Sequence, residues 1–378
     1  MNYKIIRSVT VPQSIAFFEE VMFKMKDSGY HTVIVTSPGK ELEDFRYKHP
    51  KEKVIEVPMA RHIALFKDIK SLWNMMRVMC KEKPHIVHSM TPKAGLITMI
   101  AAWLTRVPIR IHTFTGLVWP TAVGIRRKIL MFTDWLTCSC ATHIIPEGQG
   151  VLNDLKDYKV CKKPMKVLGY GNVMGVDMER FNPNRFAEIK TDDKIFRFIF
   201  VGRIVGDKGI NELVEAFNRL NKEYPKTQLC MVGKFEEHLD PLKETTLRVI
   251  NENSSICACG PRYGDELLLE YMSSDCFVMP SYREGFPNTV LEAGALGLPS
   301  VVTDINGSRE IIINGENGLI VPPKDADALY IAMKQMLLDS NLRNRMAANS
   351  RSLIESRFEK NYVQQCLIDY YKEILKLN

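Results

Sequence analysis

The sequence predicts an α/β protein of two domains, each a parallel β-sheet with helices on both faces. Three observations carry that prediction. Short apolar runs alternate with helix-length amphipathic segments from the first residues onward, as expected when each strand is followed by a crossover helix. A fresh apolar run, Phe196 to Val201, opens a second alternating series after a turn-rich stretch. At 378 residues the chain is too long for one comfortable core and long enough for two.

Taken in order, Tyr3 to Ser8 reads as a strand, Ile15 to Ser28 as a helix closed by Gly29, and His31 to Thr36 as the next strand, ahead of the turn Ser37-Pro38-Gly39. His85 to His88, Ile109 to Thr113 and Thr142 to Ile145 follow as strands separated by helix-length segments. Ligands of such sheets collect beyond the carboxyl ends of the strands. The sequence sets there Pro12, Gln13 and Ser14, then Ser37, Ser89 to Lys93, Thr113 to Gly116 and Pro146 to Gly148. Most are small or polar, which suits a hydroxyl-rich acceptor and equally suits ordinary strand-to-helix turns. His112, at the end of an apolar strand, is placed either to reach a ligand or to sit satisfied in the core. The eight histidines form no His-x-x-x-His pair and no metalloprotease motif.

Two helical stretches are apolar and basic together. From Ile63 to Cys80, Leu65, Phe66, Ile69, Leu72, Trp73, Met76 and Met79 recur at helical spacing, flanked by Lys67, Lys70, Arg77 and Lys81. Such a stripe is a core face or an interfacial one. Gly124 to Phe132 begins with Arg126, Arg127 and Lys128, which would pair with lipid headgroups or simply be solvated. Gly169 to Gly175 is a turn-rich linker; its glycine spacing has one residue too many for a dinucleotide fingerprint.

In the second series, the strand Phe196 to Val201 runs into Gly202, Arg203, Gly206, Asp207, Lys208 and Gly209, followed by a helix from Ile210 to Tyr224. Glycines let backbone approach a ligand while Arg203 and Lys208 project two positive charges from a strand-to-helix turn. The stretch Ser281 to Pro299 reads as a loop and a short helix, with Pro287 suited to a first helical position and Gly297 and Pro299 as the stop. Glu284 before that helix and Glu292 one turn inside it bracket an N-terminus whose free N–H groups favour phosphate. Acids beside an anion site fit hydroxyls that flank the phosphates, with Arg203 and Lys208 as counter-charges. Asp325 and Asp327 read as a helix start, not a magnesium site.

Charge is uneven. Residues 1–180 hold 27 Lys and Arg against 16 Asp and Glu, a net of +11, whereas residues 181–378 hold 24 against 28, a net of −4. No zinc finger, RNA-recognition motif or glycine-arginine tract accompanies the basic half, which points to an anionic membrane or phosphorylated lipid and away from nucleic acid. Met1 to Ser8 lack an apolar core of signal-peptide length, so an unexported chain is expected, and the longest apolar run, Ala94 to Leu104, is too short to span a bilayer. The nine cysteines, including Cys138 with Cys140 and Cys257 with Cys259, lack paired zinc-finger spacing and are expected to be reduced core thiols.

Val201-Gly-Arg203 through Lys208-Gly209, then Glu284-Gly-Phe-Pro-Asn-Thr-Val-Leu-Glu292 with Gly297, Pro299, Thr303 and Asp304, resembles the retaining glycosyltransferases of family 4. The resemblance spans essentially the whole chain and is strongest over residues 198–325. Thr10 to Ser14, His88 to Lys93 and His112 to Leu117 are similar to the subgroup that builds bacterial capsule, O-antigen or exopolysaccharide repeat units. It implies a GT-B fold: two Rossmann-like domains facing across a cleft, here an acceptor domain at 1–175, a nucleotide-sugar domain at 176–357 and a C-terminal helix, read as Tyr362 to Leu377 within 358–378, that returns to the first. It also implies that Arg203 and Lys208 hold the donor diphosphate, Glu292 the ribose hydroxyls and Glu284 the donor-sugar hydroxyls. Gly202, Gly233, Arg262, Gly285, Phe286, Pro287, Asn288 and Thr289 complete that donor set. Gln13, Ser14, Lys93, His112, Thr115 and Gly116 are the acceptor candidates. The sequence departs from the family where Pro12-Gln13-Ser14 replaces a Gly-Gly turn and Thr115 replaces a histidine, so no general base is assigned.

The activity implied is retaining transfer of a sugar from a nucleotide-diphosphate donor, expected to be UDP-linked, to a polyprenyl-diphosphate-linked or other glycolipid acceptor. It would proceed without metal or other cofactor, in the cytoplasm on the inner face of the membrane. Arg203, Lys208 and Glu284 form the catalytic set. The two cations stabilise the leaving diphosphate, whose oxygen takes the acceptor proton in a front-face displacement while closure excludes water. A sugar-nucleotide epimerase, a phosphorylase or an inert sugar-nucleotide-binding scaffold are the alternatives.

Overall fold

The computed structural model describes residues 3–60, 64–186, 195–236 and 240–376. The chain divides into two compact units, Met1–Met174 with Val363–Asn378, and Gly175–Tyr362.

The first unit holds six strands, β1 (Tyr3–Ser8), β2 (Tyr30–Thr36), β3 (Lys53–Glu56), β4 (Ile86–Met90), β5 (Ile109–Phe114) and β6 (His143–Pro146), all parallel in the order β3-β2-β1-β4-β5-β6. Helices cover both faces, so neighbouring residues on one strand are buried to opposite sides: Ile5 joins one apolar layer and Ile6 the other. From Val363 onward the helix Lys360–Lys376 belongs to this unit, and its Ile368, Tyr370, Tyr371 and Ile374 complete the Ile5 layer. Its Tyr371 Oη accepts from Arg7 Nη1 at 2.7 Å and is hydrogen-bonded to His88 Nδ1 at 2.5 Å, so a fully buried tyrosine fixes the chain end to β1 and β4. Leu377, expected to end this helix, lies outside the described residues, as does Ile63 at the start of the other apolar helix.

The second unit repeats the plan with β7 (Phe196–Val201), β8 (Thr227–Val232), β9 (Ile256–Gly260), β10 (Cys276–Met279), β11 (Ser300–Thr303) and β12 (Gly318–Val321), parallel in the order β12-β11-β10-β7-β8-β9. All four residues of β10 are buried, as a central strand covered on both faces requires.

Three elements differ from expectation. The helix placed at Ile15 to Ser28 is a 3₁₀ turn, Pro12–Phe17, then an α-helix, Glu19–Asp27, with Phe18 between them. The tighter turn lets both Ile15 and Phe18 enter the core. β3 is a four-residue edge strand whose end residues are charged and exposed, too short for an alternation to show. Pro287 stands at the N-cap, and the helix proper is Asn288–Ala295, stopped by Gly297 at φ +80°.

Candidate functional site

In each sheet the strand order reverses direction once, leaving a crevice at the carboxyl ends where ligands bind in folds of this kind. In the second unit the reversal lies between β7 and β10. The loops leaving these two strands carry Gly202 to Gly209 and Ser281 to Asn288, so the topology brings together two segments some eighty residues apart.

Several contacts lock them in register. Tyr282 N donates to Asp207 O at 2.8 Å, Arg283 Nη2 pairs with Asp207 Oδ2 at 2.7 Å, and Tyr282 Oη donates to Glu212 Oε2 at 2.6 Å. Lys208 Nζ and Glu284 Oε1 form an ion pair with both side chains largely shielded. Two glycines are obligatory. Gly209 sits at φ +71°, where a Cβ would lie 2.0 Å from Pro280 O, and a Cβ on Gly233 would lie 1.8 Å from Gly202 O. Gly307 is equally constrained, since its Cβ would lie 2.3 Å from Gly285 O; the backbone of the Glu284 loop is held from below.

Glu292 lies one turn into the helix Asn288–Ala295, half-buried, with Oε2 accepting from Tyr271 Oη at 3.0 Å. Burial pushes its carboxyl up to about 7, against the opposing pull of the Tyr271 hydrogen bond and the more distant Arg180 charge. Phe286 and Pro287 are buried, whereas Gly285, Asn288 and Thr289 are half-exposed around the helix start. Arg203 is more open, its Nη1 3.4 Å from Glu236 Oε2. Arg262, after β9, lies 3.7 Å from Glu266 and 3.9 Å from Glu270. Gly202 and Gly233 end adjacent strands. The donor candidates therefore share one edge of one sheet, with Lys208 and Glu284 at the reversal and Arg262 farthest from it.

The first unit's reversal lies between β1 and β4. Thr10 and Thr91 face each other there, with Oγ1 atoms 2.7 Å apart, and Thr10 Oγ1 accepts from Ala94 N at 3.1 Å. Thr91 holds φ +71°, an uncommon conformation for a β-branched residue, placed at the crevice. Both threonines were visible in the sequence as parts of motifs, but nothing in their spacing marked them as partners. Gln13 is exposed and donates to Glu41 Oε1 at 2.6 Å; Ser14 is half-buried in the 3₁₀ turn; Thr115 and Gly116 are half-exposed beyond β5.

Two acceptor candidates are engaged by partners within the first unit. His112 points into the core, with Nδ1 2.8 Å from Ser89 Oγ and the ring edge-on to Phe114, and burial drives it down to about 3, so it stays neutral. It faces Gly95, whose missing Cβ leaves room for the imidazole. Lys93 is committed to Asp68 Oδ2 at 2.6 Å, with both side chains mostly buried.

The apolar helix runs Leu65–Glu82. Its stripe is divided: Met79 is buried and Leu72 and Met76 are half-buried, whereas Leu65, Phe66, Ile69 and Trp73 are exposed, Phe66 at 91%. Pro92–Leu104 packs beside it and Gly124–Cys140 beside that, the last presenting Ile125, Phe132 and Trp135 to solvent next to Arg126 and Lys128. No helix among the described residues is long and apolar enough to cross a membrane.

Comparison with known proteins agrees with this fold. Residues 181–353 match the family described as glycosyl transferases group 1, and residues 16–171 match the glycosyl transferase 4-like domain. The chain is 32% identical to a capsular polysaccharide biosynthesis glycosyltransferase of Staphylococcus aureus, over 99% of this chain and 98% of that protein. It is 30% identical to the Escherichia coli UDP-Gal:alpha-D-GlcNAc-diphosphoundecaprenol alpha-1,3-galactosyltransferase, over 79% of this chain and 78% of the other. Among solved structures, Anabaena HepE in complex with UDP-glucose superposes with a TM-score of 0.80 at 15% identity, covering 98% of this chain and all of that one.

Proposed function

The chain belongs to the family 4 glycosyltransferases, and from that premise we propose that it transfers a sugar, with retained anomeric configuration, from a UDP-linked donor to a saccharide on a polyprenyl diphosphate. The observation that carries this reading is the Lys208–Glu284 pair at the reversal of the second sheet, beside Arg203 and the helix start at Asn288. Cations there suit a diphosphate, and carboxylates suit the hydroxyls on either side of it.

In this reading Arg203 and Lys208 take the charge that develops on the leaving diphosphate. Glu292 accepts from the ribose hydroxyls and Glu284 from the donor sugar. Gly202 and Gly233 let the backbone approach, while Gly285 to Thr289 support the phosphates and sugar. The bond from the anomeric carbon to the diphosphate oxygen breaks as the acceptor oxygen bonds to the same face, and the acceptor proton passes to the departing oxygen. Two side-chain cations supply the charge stabilisation, so the step needs no metal.

The acceptor assignment rests on the relatives: the Escherichia coli protein is named for a diphosphoundecaprenol-linked sugar, and the Staphylococcus aureus protein for capsular polysaccharide biosynthesis. Gln13, Ser14, Thr115 and Gly116 remain as acceptor-binding candidates in the first unit. Its exposed Leu65, Phe66, Ile69, Trp73 and Ile125, with Lys67, Lys70, Arg126 and Lys128 among them, suit peripheral docking on the anionic inner face of the cytoplasmic membrane.

The test is a panel of nucleotide sugars screened for thermal stabilisation, followed by turnover on lipid-diphosphate saccharides. Arg203→Ala and Lys208→Ala should each lower turnover by roughly two to three orders of magnitude. Undiminished turnover would remove them from the mechanism. Donor conversion without acceptor would identify an epimerase instead, and nucleotide binding without any turnover a scaffold.

A further inference from the structure

The second unit carries a cluster of soft ligands at its sheet edge that the sequence does not reveal. In the parallel register of β8 and β9, Cys230 stands opposite Cys257, and the two-residue period of a strand returns Cys259 to the face of Cys257. All three thiols meet on that face. Cys230 Sγ lies 3.1 Å from Cys259 Sγ, and Cys257 Sγ lies 3.3 Å from Cys259 Sγ. The helix Gly264–Met272 packs Glu270 against them, with its Oε2 3.4 Å from Cys230 Sγ. The ligand atoms of Cys230, Cys259 and Glu270 all lie within 4.8 Å of one another.

We propose that Cys230, Cys259 and Glu270, completed by Cys257, bind one thiophilic divalent cation, with zinc(II) as the natural occupant. Zinc takes four such ligands in a tetrahedron, with sulfur atoms about 3.8 Å apart when each Zn–S bond is about 2.3 Å. Cys259 needs to part from Cys230 and from Cys257 by less than an ångström each to admit it. Cys230 is buried at 4%, whereas Cys257 is exposed and Cys259 half-buried, so the cluster has a closed floor and a route in from solvent. Glu270 keeps its second oxygen towards Arg262 Nε at 3.9 Å, an outer partner that orients the carboxylate and offsets the negative charge of the ligand set. Two thiolates and a carboxylate already favour zinc over the hard cations magnesium and calcium. The cluster lies between β8 and β9, whereas Lys208 and Glu284 lie at the reversal between β7 and β10, and metal binding there does not depend on the proposed transfer reaction.

The reduced, chelator-stripped full chain, titrated with Co(II), should develop thiolate-to-metal charge-transfer absorption and tetrahedral d–d bands that saturate at one equivalent. One equivalent of Zn(II) should displace them. Cys230→Ser and Cys259→Ser should each abolish the charge-transfer band, and the exposed Cys80→Ser should leave it intact. Because Cys230 is buried, Glu270→Gln and Cys257→Ser provide milder variants, each expected to weaken Zn(II) affinity at least about tenfold with an unchanged circular dichroism spectrum. No charge-transfer band in the reduced wild type overturns the proposal. So does a band, or a Zn(II) affinity, that is unaltered by Glu270→Gln and Cys257→Ser.

Discussion

Glu292 allows a prediction in which stability and ligand binding respond to the same proton. Burial raises its carboxyl from the ordinary 4.5 to about 7. Between those values the folded chain holds a proton that the unfolded chain has released, so stability is greatest at the acid end of the window and falls as pH rises through it. A shift of this size corresponds to about 3 kcal/mol. Glu292→Gln keeps the side-chain length and an oxygen for Tyr271, but cannot ionise. Wild type and variant should melt together near the acid end, and the variant should gain with pH until it leads by about 3 kcal/mol above neutrality, or roughly 6–12 °C for a unit of this size. Donor acts in the opposite sense. In the proposed donor site, ribose hydroxyls donating to this carboxylate would favour its ionised form, so nucleotide binding should release a proton and tighten in the wild type as pH rises to neutrality, but not in the variant. Differential scanning calorimetry of both proteins from acid to mildly alkaline pH, with and without UDP, measures each effect. A variant-minus-wild-type melting difference that stays flat, or shrinks as pH rises, would refute the reasoning.

Four further outcomes are expected. Tyr371→Phe leaves buried Arg7 without its oxygen partner and should destabilise the first unit by about 1–3 kcal/mol in urea denaturation. Gly95→Ala would put a Cβ 2.3 Å from His112 Cε1, and the overpacking should cost about 1–3 kcal/mol by the same assay. Gly209→Ala combines positive φ with a clash against Pro280 O; it should lower the melting temperature and reduce turnover together. Phe66→Asp with Trp73→Asp should abolish co-sedimentation with anionic vesicles while leaving the melting temperature near that of the wild type, because both side chains are exposed.

The strands with Val and Ile runs, β1, β2, and β4 to β7, were legible because buried strands of a parallel sheet are almost wholly apolar and end in turn residues. That same property hid the direction of His112. On a strand buried on both faces the two-residue alternation carries no polarity, so nothing distinguished a ring pointing at Gly95 from one pointing at the crevice. The pairing of Lys93 was hidden for another reason: its acidic partner, Asp68, comes from the preceding helix, and no local pattern joins them. The two loops that the structure brings together after β7 and β10 were easier to read, since their glycines, cations and acids are contiguous in sequence. The thiol cluster was invisible because Cys230 reaches Cys257 and Cys259 through strand register, which motif spacing does not encode. The exposure of Phe66 and Trp73 was likewise beyond the amphipathic pattern, which gives the stripe but not what covers it.

The Lys208–Glu284 ion pair has a consequence for turnover. Before substrate arrives, each charge satisfies the other, and neither is left bare in a shielded place. In the proposed reaction a sugar nucleotide would separate them, because it would offer both a diphosphate for Lys208 and hydroxyls for Glu284. The spent nucleotide diphosphate offers only the first. Once the sugar has left, Glu284 loses its hydroxyl partners and draws Lys208 back, so re-formation of the pair would favour product departure and bias the enzyme against inhibition by its own nucleotide.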